Sequence, residues 1–164
     1  MHAEAMGWLT EQAATLTDVD TVIDLGGRNI NGTPRGLWPA ADYTVIDLHP
    51  GPGVDVVADC RDWAPDDKVD LVVCAEVLEH TDDVPGVLEA AAGWLRQGGT
   101  LLVTAAAEPR APHSHHDGGP LQPGEHYQNV TRAALADALA HGWYDPEIIH
   151  DEVHGDIYCR VQRR

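Results

Sequence analysis

The sequence predicts an α/β domain spanning residues 1–164, with five parallel strands, a C-terminal antiparallel hairpin and helices on both faces. Three observations carry this. Short Val/Ile/Leu runs recur without alternation, as in strands buried on both sides. Helix-period or turn-rich segments separate them, the mark of crossover connections. In the last run Ile157, Cys159 and Val161 do alternate with Tyr158, Arg160 and Gln162, as in a half-exposed antiparallel strand.

Taken in order, residues 1–17 (MHAEAMGWLTEQAATLT) read as an amphipathic helix, without the basic and apolar regions of a leader. Strands follow at 21–26 (TVIDLG), 43–48 (YTVIDL), 54–59 (VDVVAD), 69–76 (VDLVVCAE) and 100–106 (TLLVTAA). The best helix runs from Asp83 to Gln97. Val84, Val87, Leu88, Ala91, Ala92 and Leu95 form one stripe, Asp82 or Asp83 caps the start, and Gly98-Gly99 ends it. A further helix spans Thr131 to His141, stopped by Gly142. Strands at 147–153 and 157–162, joined by His154-Gly155-Asp156, complete the hairpin. Residues 107–130, rich in proline and glycine and without periodicity, form a long loop. It follows the carboxyl end of a strand, so we expect it to cover an active site.

Composition narrows the function. The net charge is −17, and the ten basic residues include a single lysine, Lys68. No basic cluster is present to neutralise phosphates, so nucleic acid is not expected as a partner and a small-molecule acceptor is. No apolar run reaches membrane-spanning length, which leaves no membrane partner and suggests a cytoplasmic protein. The three cysteines (Cys60, Cys74, Cys159) lack metal spacing and read as buried thiols in a reducing compartment. The five tryptophans are scattered and read as core, with Trp8 and Trp38 near enough to strand ends to border a pocket.

The first strand runs into VIDLGGRNING, an acid followed by a glycine turn. Its spacing does not fit G-x-G-x-x-G, which argues against a dinucleotide. Asp24 ends the first strand and Asp47 ends the second. A second-strand acid about 20 residues on accepts hydrogen bonds from ribose hydroxyls in sheets of this kind. Asp59 ends the third strand, beside Cys60, where an acid can accept from an adenine amine or cap the next helix.

Four stretches in this order resemble small class I S-adenosylmethionine-dependent methyltransferases of the type 11 kind. VIDLGGRNING resembles their first cofactor motif and YTVIDLHP their acidic second-strand motif. VDLVVCAEVLEH resembles the fourth-strand motif, and LRQGGTLLV the turn into strand five. The resemblance implies a Rossmann-like seven-stranded sheet and S-adenosylmethionine as cofactor. It places Asp24, Gly26, Gly27 and Gly32 around the methionine end, with Asp24 or Glu76 balancing its cationic groups. Asp47 then holds the ribose, Asp59 and Cys60 lie at the adenine, and Leu48 is a further cofactor-binding residue. One departure stands out: Arg28 and Ile30 occupy the second and third glycine positions of the family's D-x-G-x-G-x-G loop.

Methyl transfer from a sulfonium is an in-line displacement in which alignment supplies much of the catalysis. An oxygen acceptor also needs a base, and histidine suits neutral pH. The candidates are His80 after strand four and His113, His115, His116 and His126 in the long loop, with Tyr127 and Asn129 beside the acceptor. Metal binding through His113, His115, His116 and Asp117 is not expected, because adjacent histidines do not readily share a face. A homodimer in which a second copy completes the pocket is compatible with so short a chain. The rival function is a non-catalytic, methyltransferase-like binding module.

Overall fold

The computed structural model describes all residues, 1–164. After helix α1 (Ala3–Ala13) come strands β1 (Thr21–Leu25), β2 (Asp42–Asp47), β3 (Val56–Val57) and β4 (Val69–Ala75). Helix α2 (Val84–Trp94), strand β5 (Leu95–Ala106), helix α3 (Arg132–Ala138) and strands β6 (Glu147–Asp151) and β7 (Asp156–Gln162) complete the chain. The seven strands form one sheet in the order β3-β2-β1-β4-β5-β7-β6. Strands β1 to β5 pair in parallel, and β7 runs antiparallel between β5 and β6. The predicted five-plus-two arrangement is therefore the observed one. No helix is long and apolar enough to cross a membrane.

Successive strand residues face opposite sides, so each uninterrupted run feeds two cores. Ile23, Val72, Cys74, Leu101 and Val103 pack under α2 and α3, in a cluster of 24 buried residues. Val22, Val45, Leu71, Val73 and Leu102 face α1, in a smaller cluster of 11. Helices thus cover both faces, but unequally, because the β1–β2 connection holds only a 3-10 turn at Pro34–Leu37.

Several predicted boundaries move, each for a local reason. Strand β3 shrinks to two residues: the Asp55 carboxylate, not a backbone carbonyl, accepts the Val45 N–H at 2.9 Å. Helix α2 stops at Trp94, because Leu95 turns extended (φ −71°, ψ 142°) and pairs with Val69. Its start behaves as expected, with the Asp83 carboxylate accepting from Gly86 N–H at 3.0 Å. Thr131 caps α3 by accepting from Ala134 N–H at 3.1 Å. That helix ends at Ala138, three residues early, and Gly142 then takes a left-handed φ of 81°. Trp8 and Trp38 do not line the cavity at the strand ends. Both are buried in the cluster between α1 and the sheet, with Trp8, on α1, stacked on Tyr158 at 5.2 Å between ring centroids.

Candidate active site

Strand order reverses between β1 and β4, and the crevice outside the carboxyl ends of these strands is where open α/β sheets take ligands. Here it is a cavity of about 650 Å³. Each parallel strand contributes to it: Leu25-Gly26 after β1, Asp47-Leu48-His49 after β2, Asp59-Cys60-Arg61 after β3, Glu76-Val77 after β4, and Arg110 to His115 after β5. Met1 and His2 close it from the N-terminal side.

The first glycine turn is built around Asp24. This carboxylate is buried and accepts the Tyr43 hydroxyl at 2.9 Å. Burial pushes its pKa up to about 7, against the opposing effect of that hydrogen bond. Gly26 takes φ 73°, which allows the chain to turn over the end of β1. A Cβ on Gly27 would lie 2.4 Å from the Asp24 carboxyl carbon, so glycine is required there. Asp24, Gly27 and Gly32 line a small recess of about 30 Å³ beside the main cavity, not the cavity itself. Arg28, in a family glycine position, reaches across Gly51 and donates from Nη2 to the His115 carbonyl at 3.0 Å.

Asp47 lines the cavity. Its Oδ1 accepts from His49 N–H at 2.8 Å and its Oδ2 from Arg28 N–H at 3.3 Å, fixing the carboxylate while each oxygen keeps a free lone pair. Leu48 is 60% exposed, an apolar side chain left on a cavity wall. Asp59 holds Arg61 at 2.6 Å, and this partner draws its pKa down to about 2. Cys60 is half-buried and its thiol is pushed up to about 11 by burial.

Glu76 is the strained residue of the site, the one non-glycine with positive φ (59°), which costs about 1–3 kcal/mol. The strain turns its carboxylate into the cavity, where Arg110 donates to it at 2.6 Å and Thr104 at 3.1 Å. His2 Nδ1 lies 3.3 Å away. Burial opposes ionisation of Glu76, but His2 and Arg110 prevail and hold its pKa low. Arg110 also donates to the buried Asp156 at 2.5 Å, and His2 Nε2 meets the same carboxylate at 2.7 Å. The Asp156 and then the Glu76 carboxylate raise the His2 pKa to about 9, against burial and the Arg110 charge. Nothing in the local sequence marks His2 or Arg110, because their partners are distant in the chain, and Arg28 stands out there only as a departure from glycine.

The predicted histidines divide. His80, His113 and His115 line the cavity. The His80 ring lies 5.1 Å from His113 and 5.8 Å from His115, between centroids, with Tyr127 at 5.7 Å behind it. Burial pulls the His80 pKa down to about 4, with His113 and His115 adding to the effect. It is therefore a weak base at neutral pH. His116 does not line the cavity; it lies against His115, ring centroids 4.0 Å apart. His126 is exposed outside it, and Tyr127 forms its second layer, donating to Asn129 at 2.9 Å. The long loop is held by specific bonds: the buried Ser114 hydroxyl donates to Glu125 at 2.7 Å, and Asn129 Nδ2 donates to the Arg110 carbonyl at 3.0 Å.

A sheet of this order with a cavity at its switch point defines an α/β cofactor-binding domain of the kind that carries methyl-transfer chemistry. Residues 1–142 match the family model of a methyltransferase domain, and the chain belongs to that family. No curated protein matches the sequence significantly. Among solved structures, it is similar to the Burkholderia thailandensis 1,6-didemethyltoxoflavin-N1-methyltransferase with bound 1,6-didemethyltoxoflavin and S-adenosylhomocysteine. That match has a TM-score of 0.71 at 16% identity, covering 97% of this chain and 78% of the other. It is also similar to the N-methyltransferase NodS from Bradyrhizobium japonicum WM9 in complex with S-adenosylhomocysteine. There the TM-score is 0.69 at 15% identity, covering 98% and 86%. At these identities the likeness speaks for the fold.

Proposed function

We propose that this chain transfers a methyl group from S-adenosylmethionine to a small-molecule acceptor. The observation that carries the reading is the placement of Asp47. It stands at the end of β2 on the wall of a switch-point cavity, with lone pairs free for two ribose hydroxyls. The cavity suits a nucleoside-sized ligand together with a small acceptor. Leu48, Asp59 and Cys60 flank the adenine position, and Gly26, Glu76, Met1 and His2 surround the methionine end. Asp24 acts from behind the turn by fixing its shape. S-adenosylmethionine carries no phosphate, so Arg28 and Ile30 in place of glycines do not obstruct it as they would a pyrophosphate.

The acceptor then lies under the 107–130 loop against His80, His113 and His115, with Tyr127 behind. Alignment with the methyl group supplies much of the rate, since proximity contributes about 7–11 kcal/mol in well-oriented reactions. The likeness to N-methyltransferases fits a nitrogen acceptor that arrives unprotonated and needs no strong base. The test is calorimetric titration with S-adenosylmethionine, S-adenosylhomocysteine and NADH. Micromolar binding of the two sulfur nucleosides and none of NADH is expected; no binding of either nucleoside overturns the reading.

A further inference from the structure

Four histidine rings, His49, His80, His113 and His115, gather on one wall of the cavity, with His116 packed against His115, and neighbouring ring centroids lie 4.0–5.8 Å apart. Within this wall, ligand atoms of Glu79, His80 and His113 all lie within 4.8 Å of one another. We propose that these three residues bind a divalent transition-metal ion at the acceptor side of the cavity.

Several independent features support the site. Glu79 is fully buried. Its Oε1 accepts the Ala106 N–H at 3.1 Å, while Oε2 is buried without a partner. His80 Nδ1 is likewise buried without a partner. An ion between them satisfies both orphan atoms at once. His113 is oriented as metal-binding histidines are: its Nδ1 lies 3.2 Å from the Ala111 carbonyl, leaving the Nε2 lone pair free. Two imidazoles and one carboxylate favour zinc, iron or another transition metal over magnesium or calcium. Metal–ligand bonds of about 2.1 Å put tetrahedral ligand atoms about 3.4 Å apart, so the site must contract on binding. His113 sits on the loop, where the chain can make that adjustment.

The other two histidine-carboxylate groups are less suited. His2, Glu76 and Asp156 already enclose the Arg110 guanidinium, whose charge takes the place of an ion. In the group of His115, His116 and Glu125, the carboxylate is already engaged by Ser114 and by the Gln122 N–H.

Three protein ligands leave a fourth position open, and His80 and His113 turn it toward the cavity. This role rests on the methyl-transfer reading above. An acceptor hydroxyl or amine bound there is held in line with the sulfonium methyl. A bound hydroxyl loses its proton to water more readily. Its oxygen then forms the bond to the methyl carbon as the carbon–sulfur bond breaks, and that electron pair stays on the sulfur of S-adenosylhomocysteine.

The test uses the untagged full chain, stripped with a chelator and titrated with Co²⁺, read by its visible absorption, with Zn²⁺ as competitor. One equivalent of Co²⁺, displaced by Zn²⁺, is expected. His113→Ala and Glu79→Gln should each weaken binding at least about tenfold, and His141→Ala, an exposed control, should leave it unchanged. His113 is half-buried on the loop, so its variant keeps the test open even if Glu79→Gln fails to fold. Absence of stoichiometric binding, or unchanged affinity in His113→Ala, overturns the proposal. S-adenosylhomocysteine titration of the stripped protein separates the two readings. Nucleoside binding without metal binding refutes the metal site alone, and metal binding without nucleoside binding refutes the cofactor reading alone.

Discussion

Asp47→Asn removes a charge from the cavity while keeping the side chain's size. In the native site Oδ1 holds the His49 N–H and Oδ2 the Arg28 N–H, and each oxygen has capacity left for one ribose hydroxyl. Asparagine keeps one oxygen acceptor and replaces the other with an amide that only donates. One hydroxyl therefore loses a charged acceptor, a bond of about 1.5–3 kcal/mol. The dissociation constant for S-adenosylhomocysteine should rise about 10- to 150-fold. The product is the right probe because it does not turn over. The fold should tolerate the change: the contact given up with Arg28 is long, and partly exposed positions cost about 0.5 kcal/mol. The measurement is calorimetry alongside a thermal melt. An affinity within twofold of the native value, with an unchanged melt, would show that no ribose reaches Asp47 and would remove the main support for the cofactor reading.

Three further outcomes follow from the same geometry. Arg110→Gln leaves the His2 imidazolium as the one remaining cation between Glu76 and the buried Asp156, which should cost up to about 3 kcal/mol and lower the Tm by up to about 6–12 °C; a change below 2 °C would contradict it. Gly27→Ala drives a Cβ against the Asp24 carboxylate, itself fixed by Tyr43, and should cost about 1–3 kcal/mol in a denaturant melt. His2 gives a pH dependence. Its folded pKa of about 9 exceeds the ordinary 6.5, so its contribution is complete below pH 6.5 and is lost as pH rises through 9. With screening at a partly exposed ring, about 1–2 kcal/mol is at stake, and the native-minus-His2→Ala stability difference should shrink by that amount between pH 6 and about pH 10. A difference that stays constant from pH 6 to 10 would refute it.

The fold was legible where its causes are local and repeated. Apolar runs without alternation announced strands covered on both faces, and the alternation of Ile157, Cys159 and Val161 announced the antiparallel ending. Where one residue satisfies two structures equally, the pattern gives no answer. Leu95 is buried as the last member of a helical stripe or as the first residue of a strand, and only its partner Val69 decides. Asp55 is a similar case, since its carboxylate takes up a strand's N–H only because Val45 lies beside it.

The candidate site divides along the same line. Asp47 stands on the cavity wall, as expected for an acid at a strand end, whereas Asp24, one residue before the end of β1, faces Tyr43 behind the glycine turn and not the cavity. The histidines could be counted but not assigned. His113 and His115 line the cavity while His116 and His126 do not, and the difference is set by the path of an aperiodic loop. That path depends on single contacts: Ser114 with Glu125, Asn129 with the Arg110 carbonyl, and Arg28 with the His115 carbonyl, 87 positions apart in the chain. Such bonds leave no period to detect, yet each fixes a segment of backbone and so the direction of the neighbouring side chain. His2 is the extreme case, held to Asp156 across 154 positions. Its contact reaches the carboxylate that Arg110 shares with Glu76, so the chain's second residue helps to set the charge at the cavity's centre.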